Sequence, residues 1–268
     1  ELGDKMPDLM AIILTKNEVR HIAACIESVA WADQVLLSDS FSDDGTVEIA
    51  RALGADVLQT PFVNFAVQRN LSLEEARRRG VRWVFFIDAD ERATPALAAE
   101  IRQAIQSTEV VGWWVPRYNY IMGHRMRGGG WYPDAQLRLM RPERAQYDPT
   151  RHVHETVLLD GPEGTLREHL IHYNYDTLQQ FRAKQSRYLL FEVQMLHARG
   201  VRAKPWSPLS MPVREFWRRY VDLRGYRDGW VGLLLCTLMG WYTFQTYRLL
   251  RRLQREEHTA LRGRRQPD

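Results

Sequence analysis

Two carboxylates separated by one residue, Asp88 and Asp90, give the clearest chemical signal in the sequence. They directly follow residues 82–87, an apolar run that predicts a buried strand. Acidic oxygens on a turn are the ligands that Mg²⁺ and Mn²⁺ favour, and both ions also bind diphosphate oxygens. Because such a pair can equally cap a helix or lie on the surface, the motif alone leaves both interpretations open.

Three more polar clusters lie next to predicted elements in the same half of the chain. They are Thr15-Lys16-Asn17-Glu18 after the first predicted strand, Asp39 to Thr46 after the second, and Gln68-Arg69-Asn70 on a polar helix. Ligands of open α/β sheets bind beyond the carboxyl ends of the strands. The sequence therefore predicts that these clusters and the Asp88/Asp90 pair meet at one edge of a sheet.

With these four motifs in this order, residues 9–175 resemble the family 2 inverting glycosyltransferases of the GT-A fold. Within that family the chain is most similar to the lipopolysaccharide-core β-glucosyltransferase branch. The narrower similarity rests on residues 129–139, on Val153-His154-Glu155 and on His172-Tyr173-Asn174-Tyr175. The resemblance implies metal-dependent transfer of a hexose, in the first instance glucose from UDP-glucose, to a lipid-linked saccharide such as lipopolysaccharide core.

The resemblance also implies which residues hold the nucleotide sugar. Thr15 and Glu18 would line the nucleoside pocket, and Asp39 would accept a hydrogen bond from the base. Arg69 would face the diphosphate, where the planar donor fork of a guanidinium suits phosphate oxygens. The structural alternatives are an Asx-turn for Asp39 and a solvated helix face for Arg69.

The metal site implied by the resemblance is built on the same strand end. Asp88 would lie near the ribose and the metal, and Asp90 would ligate Mg²⁺ or Mn²⁺. His172 is the third candidate ligand, with a structural histidine as the alternative interpretation. His154-Glu155 does not begin a zinc-binding His-Glu-x-x-His helix, because position 158 is Leu.

An inverting transferase needs one general base to deprotonate the acceptor hydroxyl as it attacks the anomeric carbon. In the family this base is an acidic residue after an arginine-bearing strand, which residues 137–141 resemble. Glu155 is the next suitable acid and the first candidate, although His154-Glu155 stands where the family has Glu-Asp. Asp134 is the second candidate.

Aromatic residues beside a glycine-rich loop suggest the acceptor side. Trp131 and Tyr132 follow Gly128-Gly129-Gly130 and are expected to be exposed enough to stack on a sugar ring. Arg138, on the strand that follows, is the third predicted acceptor contact.

Alternating strand-like and helix-like segments supply the sheet that these residues require. Short apolar runs at 9–14, 34–37, 56–58 and 82–87 are typical of parallel strands, and helical spacing fills the segments between them. This order predicts an α/β fold with a mostly parallel sheet and helices on both faces. Longer strands are predicted from residue 110, and a long helix with a Thr177…Gln180 capping box is predicted over 177–199.

Composition and charge exclude several protein classes. The chain has 268 residues, of which 45% are hydrophobic and 26% charged, which rules out a disordered chain or a disulfide mini-protein. Its two cysteines form no Cys-x-x-Cys motif. Residues 201–268 carry 14 Lys+Arg against 6 Asp+Glu, whereas residues 1–200 carry 23 against 27. A basic tail on an acidic body indicates that the tail attaches the protein to a surface, and it argues against a nucleic-acid groove through the whole protein.

The expected organisation is a catalytic domain over 1–204 and a C-terminal module over 205–268. The catalytic domain divides into a nucleotide-binding half, about 9–109, and an acceptor half, about 110–204. Pro205, Pro208 and Pro212 predict a linker. The tail beyond it mixes arginines with aromatics, and its uncharged run at 229–247 borders on the length of a membrane span.

From these features we expect residues 205–256 to bind an anionic membrane surface at the cytoplasmic face of a bacterial inner membrane. A soluble helical hairpin and a dimer interface are the alternatives for the tail. Transfer to polyprenyl phosphate and a non-catalytic glycan- or nucleotide-binding module are the alternatives for the function. A nucleotidyltransferase is disfavoured, because no glycine-rich, lysine-containing loop follows the first strand.

Overall fold

The computed structural model describes residues 8–149 and 157–263. Contacts divide the chain into two compact units, Glu1–Tyr118 with Asp134–Tyr173 and Asn119–Pro133 with Asn174–Asp268. This division differs from the expected boundary between residues 204 and 205. The functional division of the chain into a catalytic domain and a C-terminal module stays a prediction.

The first unit is an α/β unit, and its strands and helices lie close to the predicted segments. Its strands are β1 Leu9–Thr15, β2 Gln34–Asp39, β3 Asp56–Gln59, β4 Trp83–Asp88, β5 Glu91–Arg92, β8 Ala135–Met140, β9 Ala145–Tyr147, β10 Val157–Leu159 and β11 Glu163–Thr165. Strands β6 Gly112–Ile121 and β12 Leu170–Tyr175 begin in this unit, and β7 is His124–Arg125. Its helices are α1 Ile22–Val29, α2 Thr46–Ala52, α3 Phe65–Arg78 and α4 Pro95–Ala104.

The sheet is parallel in one half and antiparallel in the other. Strands β3, β2, β1 and β4 lie side by side in that order and run parallel. Beyond them β8 pairs antiparallel with β4, and β6 pairs antiparallel with β8. The predicted α/β class is therefore confirmed, and the parallel order holds for strands β1 to β4.

Strand β1 shows why helices cover both faces of the sheet. Every residue from Leu9 to Leu14 is buried, and alternate residues join different apolar clusters. Leu9, Ala11 and Ile13 pack with residues of α1, α2 and α4, whereas Met10, Ile12 and Leu14 pack with residues of α3. Because successive side chains of a strand point to opposite faces, a continuous apolar run requires cover on both sides.

The second unit is helical. It consists of α5 Leu178–Ala198, α6 Ser207–Trp217 and α7 Gly229–Gly263, together with the loop 119–133. The predicted capping box of α5 is present, with Thr177 and Gln180 exchanging side-chain and backbone hydrogen bonds. Its apolar cluster contains Ile121, Met126, Tyr175, Phe181, Val231 and Leu235.

The glycine-rich loop belongs to this helical unit and packs on the segment between α6 and α7. A Cβ atom on Gly128 would lie 2.3 Å from the Arg224 carbonyl oxygen, so no side chain fits there. Gly129 has a φ of +67°, which L side chains rarely adopt, and its N–H donates to the Leu223 carbonyl at 2.7 Å. The loop therefore needs glycine for close packing within the protein.

The predicted proline linker is wrong in part. Helix α6 begins at Ser207, so Pro208 lies in its first turn and Pro212 lies inside it. Proline is tolerated in a first turn because the N–H there has no intrahelical partner. None of the helices in the described part of the chain is long and apolar enough to span a membrane.

Candidate active site

The register of the parallel strands brings the predicted polar clusters to one edge of the sheet. Thr15 at the end of β1 pairs with Asp39 at the end of β2, and Leu14 pairs with Asp88 at the end of β4. Thr15 Oγ1 donates to Asp39 Oδ1 at 3.2 Å. The expectation that these clusters meet at the carboxyl ends of the strands is met for residues of all three strands.

The loops that follow β1 and β2 are joined by side-chain to backbone hydrogen bonds. The N–H of Asn17 donates to Ser42 Oγ at 2.8 Å, and the N–H of Glu18 donates to Thr46 Oγ1 at 2.9 Å. Asn17 has a positive φ of 57°, and the Glu18 carbonyl accepts from the first residues of α1. This turn explains why α1 begins only at Ile22, although helical spacing is expected throughout the segment between the first two strands.

Asp39 is fully buried, and its carboxylate accepts four hydrogen bonds. Thr15 and Ser42 hydroxyls donate to Oδ1, while the Ser42 N–H and Gln59 Nε2 donate to Oδ2. Burial alone would raise the pKa of Asp39, but the hydrogen bonds from Ser42, Gln59 and Thr15 outweigh it and hold the pKa below its ordinary value. A nucleoside base that donates a hydrogen bond to Asp39 would have to displace one of these donors.

The polar helix α3 places Arg69 by fixing the residues on either side of it. Gln68 Nε2 donates to the Ser38 carbonyl at 2.9 Å, and Asn70 exchanges two 2.9 Å hydrogen bonds with the backbone of Tyr147. The Arg69 guanidinium lies 5.1 Å from the ring centre of Phe86 and 5.5 Å from that of Tyr147. It lies beside both rings, and Arg69 Nη2 is 3.6 Å from Asp88 Oδ1.

Asp88 is paired with Arg138 of β8, which the sequence analysis predicts as an acceptor contact. Arg138 Nη1 donates to Asp88 Oδ1 at 3.2 Å, and Nη2 donates to Asp88 Oδ2. Burial would raise the pKa of Asp88, but Arg138 and then Arg69 hold it well below its usual range. The Arg138 guanidinium is 3% exposed, so the acceptor contact predicted for it stays a prediction.

Glu91 completes this network from a fully buried position. Its Oε1 accepts hydrogen bonds from Arg138 Nη2 and Arg117 Nη1, both at 2.8 Å, and its Oε2 accepts the Asp88 N–H at 2.9 Å. Arg117 in turn donates from Nη2 to Asp134 Oδ2 at 2.7 Å. One buried carboxylate therefore fixes two guanidiniums and the backbone at the strand end.

Asp134, the second candidate base, is held by its neighbours on both oxygens. Oδ2 accepts from Arg117 Nε and Nη2, and Oδ1 accepts from Gln136 Nε2 at 3.1 Å. Glu155, the first candidate, lies outside the described residues.

A cleft of about 490 Å³ opens beside this network. Its volume is within the range of small-molecule sites. It is lined by Arg69, Asp88, Trp114, Arg117, Gln136, Leu137, Arg138, Tyr147, Val157 and Glu163. The lining therefore combines three arginines with two carboxylates, and Arg117 and Arg138 are already paired with Glu91.

Asp90 and His172 approach each other next to this cluster. His172 Nε2 lies 3.4 Å from Asp90 Oδ2, and the Asp90 carbonyl accepts the Tyr173 N–H at 2.9 Å. The roles of both as metal ligands stay predictions. Within residues 8–149 and 157–258, no group of three or more His, Cys, Asp or Glu side chains is arranged to hold a metal ion.

Trp131 and Tyr132, the predicted aromatic acceptor contacts, belong to the helical unit. The expected exposure is not found, since both are only partly exposed. Trp131 packs against the apolar cluster of that unit, and its ring lies 5.2 Å from the Arg219 guanidinium. These contacts within the protein account for the position of the Trp131 ring without a bound sugar. Stacking of Trp131 or Tyr132 on an acceptor stays a prediction.

Sequence reasoning missed Glu91 and Arg117 as parts of the site. Glu91 directly follows the Asp88-Ala89-Asp90 motif and reads as one more surface acid. Arg117 stands alone in an apolar and aromatic strand, which was a usable signal, because a buried arginine must find a carboxylate.

The comparison with known families defines the class of protein. Residues 10–159 match the family model described as Glycosyl transferase family 2. Because this match spans more than half of the chain, the chain belongs to glycosyl transferase family 2. The sheet with helices on both faces and the C-terminal helices agree with the GT-A architecture that the resemblance implied.

Two relatives match the chain over nearly their whole lengths. One is the lipopolysaccharide core biosynthesis glycosyltransferase LpsC of Rhizobium meliloti, 28% identical over 90% of this chain and 91% of that protein. The other is an uncharacterized glycosyltransferase of Rickettsia bellii, 26% identical over 95% of this chain and 90% of that protein.

Similarity to solved structures is partial. Glucosyl-3-phosphoglycerate synthase from Mycobacterium tuberculosis, in complex with Mn²⁺, UDP and glucosyl-3-phosphoglycerate, is 18% identical with a TM-score of 0.39, over 51% of this chain and 57% of that one. Another mycobacterial protein is 14% identical with a TM-score of 0.42, over 65% of this chain and 69% of that one. The family assignment rests on the sequence match.

Replacement of Glu91 by Gln should destabilise the protein by about 3 kcal/mol or more. Gln keeps the shape but removes the buried charge that faces Arg117 and Arg138. Urea unfolding measures the loss. Glu256→Gln is the matched control, because its pair with Arg252 is exposed on both sides and contributes little to stability. Equal losses in the two variants would contradict the role assigned to Glu91.

The difference in free energy of unfolding between wild type and Asp39→Asn should depend on pH. The pKa of Asp39 is lower in the folded protein than the unfolded value of about 3.9, so its contribution is present above that value and is lost as the pH falls. Asp39→Asn should therefore be less stable than wild type at pH 7, and the difference should shrink toward pH 3. Urea unfolding across this range measures both. The exposed Asp43→Asn serves as control, and a difference that does not change with pH would refute the prediction.

Proposed function

We propose that this chain transfers a hexose, with inversion, from a nucleotide sugar to a lipid-linked saccharide. The proposed donor is UDP-glucose, and the proposed acceptor is lipopolysaccharide core or a similar cell-envelope glycan. Similarity to a named lipopolysaccharide core glycosyltransferase over 90% of the chain supports the acceptor class. Membership of family 2 supports the reaction type.

The observation that carries the proposal is the arginine-lined cleft at the carboxyl edge of the parallel strands. Arg69, Arg117 and Arg138 line it, and the Asp88 strand end lies beside it. A nucleotide sugar brings two phosphates and an uncharged sugar, so its recognition requires fixed cations next to a polar strand edge. Arg69 is the proposed diphosphate contact, because its guanidinium is held in place by Phe86 and Tyr147.

The reaction requires one base and a stabilised leaving group. The base takes the proton of the acceptor hydroxyl while that oxygen bonds to the anomeric carbon from the face opposite the diphosphate. The bond from the anomeric carbon to the diphosphate oxygen breaks, and its electron pair leaves with the nucleoside diphosphate. Glu155 is the proposed base because it is the next suitable acid after the arginine-bearing strand β8, and Asp134 is the second candidate.

Asp90 and His172 fit a divalent cation. A carboxylate oxygen and an imidazole nitrogen 3.4 Å apart are both ligands of Mn²⁺, whereas Mg²⁺ prefers oxygen. Such ions are commonly held by one or two protein groups, with water and substrate phosphates in the other positions. Bound there, Mg²⁺ or Mn²⁺ would neutralise charge on the departing diphosphate. Asp88 is the weaker candidate ligand, because both of its oxygens are paired with Arg138.

The nucleoside contacts proposed for Thr15, Glu18 and Asp39 are supported by their position at the ends of β1 and β2. Trp131 and Tyr132 remain proposed acceptor contacts. Attachment of residues 205–256 to an anionic membrane at the cytoplasmic face of a bacterial inner membrane would bring the enzyme to a lipid-linked acceptor. The excess of basic residues in 201–268 supports this attachment.

Turnover should depend on a divalent cation and on Asp90. Wild-type protein assayed with UDP-, GDP- and dTDP-sugars should hydrolyse or transfer one of them, with UDP-glucose favoured. Asp90→Ala should abolish this turnover and weaken Mg²⁺- or Mn²⁺-dependent binding of the nucleoside diphosphate. Full activity in EDTA would refute the metal requirement, and inactivity with every donor would refute the proposed reaction.

Loss of the base should slow transfer without loss of donor binding. Glu155→Gln should bind the nucleotide sugar as wild type does, while its transfer rate falls by about 10²–10⁴-fold. Stopped-flow or single-turnover transfer with isothermal titration of the donor separates the two quantities. If Asp134→Asn shows this pattern and Glu155→Gln does not, Asp134 is the base.

A further inference from the structure

Helices α6 and α7 carry exposed apolar side chains that the proposed reaction does not use. We name this surface the α6–α7 face. It consists of Leu209, Val213 and Trp217 on α6 and Trp230, Leu233 and Trp241 on α7, all of them exposed. Single apolar residues on a surface are ordinary, but a group of large ones indicates an interaction site.

The spacing of these residues places them on one side of each helix. On α6 they recur every four residues, and on α7 Trp230, Leu233 and Trp241 share a stripe through Thr237. The other side of α7 is buried in its own unit through Val231 and Leu235. Helix α7 is therefore apolar on two sides, and packing within the described part of its unit covers one of them.

A groove of about 410 Å³ lies within this face. It is lined by Pro208, Leu209, Pro212, Val213, Phe216, Thr237, Gly240, Trp241 and Phe244. Gly240 allows the two helices to approach, since a Cβ there would lie 3.3 Å from the Pro212 carbonyl oxygen. The Thr237 hydroxyl donates to the Leu233 carbonyl at 2.8 Å, so the donor of this lining side chain is already used. A groove of this kind suits a hydrocarbon chain.

Exposed basic side chains lie on and next to the two helices. Arg214 of α6, Arg218 directly after α6 and Arg248 of α7 are exposed, and Glu215 is paired with Arg218 and Arg219. Residues 201–268 carry 14 Lys+Arg against 6 Asp+Glu. A second copy of the chain would bring the same positive charge against itself in a two-fold interface. An anionic lipid surface complements both the charge and the apolar groove.

We propose that the α6–α7 face lies in the interface of an anionic phospholipid bilayer, with a fatty-acyl chain in the groove and lipid phosphates on the exposed arginines. Exposed tryptophans and arginines on helices that do not span a bilayer are typical of interfacial binding. This inference deepens the membrane attachment in the proposed function and rests on it. It assigns the attachment to the α6–α7 face and places the groove of that face in contact with lipid acyl chains.

The test compares two leucines on helices of the same unit. Leu209 of the α6–α7 face is 70% exposed, and Leu190 of α5, which does not line the groove, is 65% exposed. Full-length wild type, Leu209→Asp and Leu190→Asp are floated with vesicles of phosphatidylcholine and phosphatidylglycerol. Leu209→Asp should partition about tenfold or more weakly than wild type, whereas Leu190→Asp should stay within about twofold of it. Circular dichroism and unfolding curves confirm that both variants fold.

A second measurement reports the depth of insertion. Lipids brominated on their acyl chains should quench the tryptophan fluorescence of wild type, and Trp241→Phe should remove part of that quenching. Equal flotation of the two leucine variants, or no difference in quenching, would overturn the inference. A wild-type dimer in lipid-free solution that Leu209→Asp dissociates would overturn it in favour of a protein interface.

Failure of this inference and failure of the proposed function give different results. Leu209→Asp should keep the wild-type rate of nucleotide-sugar hydrolysis in solution, because the residue lies outside the proposed catalytic cleft. If the protein hydrolyses the nucleotide sugar but does not float with vesicles, the membrane binding assigned to the α6–α7 face is wrong and the proposed reaction is not. If the protein binds vesicles but turns over no donor, the proposed reaction is wrong and the inference about the α6–α7 face is not.

Discussion

The candidate site depends on one electrostatic constraint, the balance between buried arginines and carboxylates at the end of β4. Arg138 is almost fully buried and binds Asp88 and Glu91, and Glu91 also binds Arg117. A buried charge is costly unless it is paired and hydrogen-bonded. Removal of either an arginine or a carboxylate from this network would therefore leave its partner as an uncompensated buried charge. The network therefore fixes the relation between β4, β5, β6 and β8.

Arg69 differs from the other two arginines of the cleft in its partners. Arg138 and Arg117 are paired with the buried Glu91, whereas Arg69 lies beside the rings of Phe86 and Tyr147 and 3.6 Å from Asp88 Oδ1. Aromatic faces stabilise a guanidinium without neutralising it. Arg138 serves mainly to orient Asp88 and the strand end.

Much of the sheet was predictable because its physical signals are local. Continuous apolar runs marked β1 and β4, and the capping box of Thr177 and Gln180 marked the start of α5. The convergence of Thr15, Asp39 and Asp88 followed from strand direction alone.

The errors arose where non-local contacts decide the outcome. The start of α1 is displaced because the loop after β2 binds the backbone of Asn17 and Glu18. Trp131 is partly buried because the glycine-rich loop packs within the helical unit, and Pro212 lies in a helix that packs against α7. Glu91 was overlooked since its role requires arginines that lie 26 and 47 residues away in sequence.

The hydrogen bonds that join the loops after β1 and β2 have a consequence for affinity. Asn17, Glu18 and Asp39 are held in place by the protein before any ligand arrives. Ordering a loop on association usually consumes part of the interaction energy, about 0.5–1.5 kcal/mol for each flexible side chain that is immobilised. Here that entropy is lost during folding, so a nucleoside would meet a preorganised rim and keep more of its contact energy as binding.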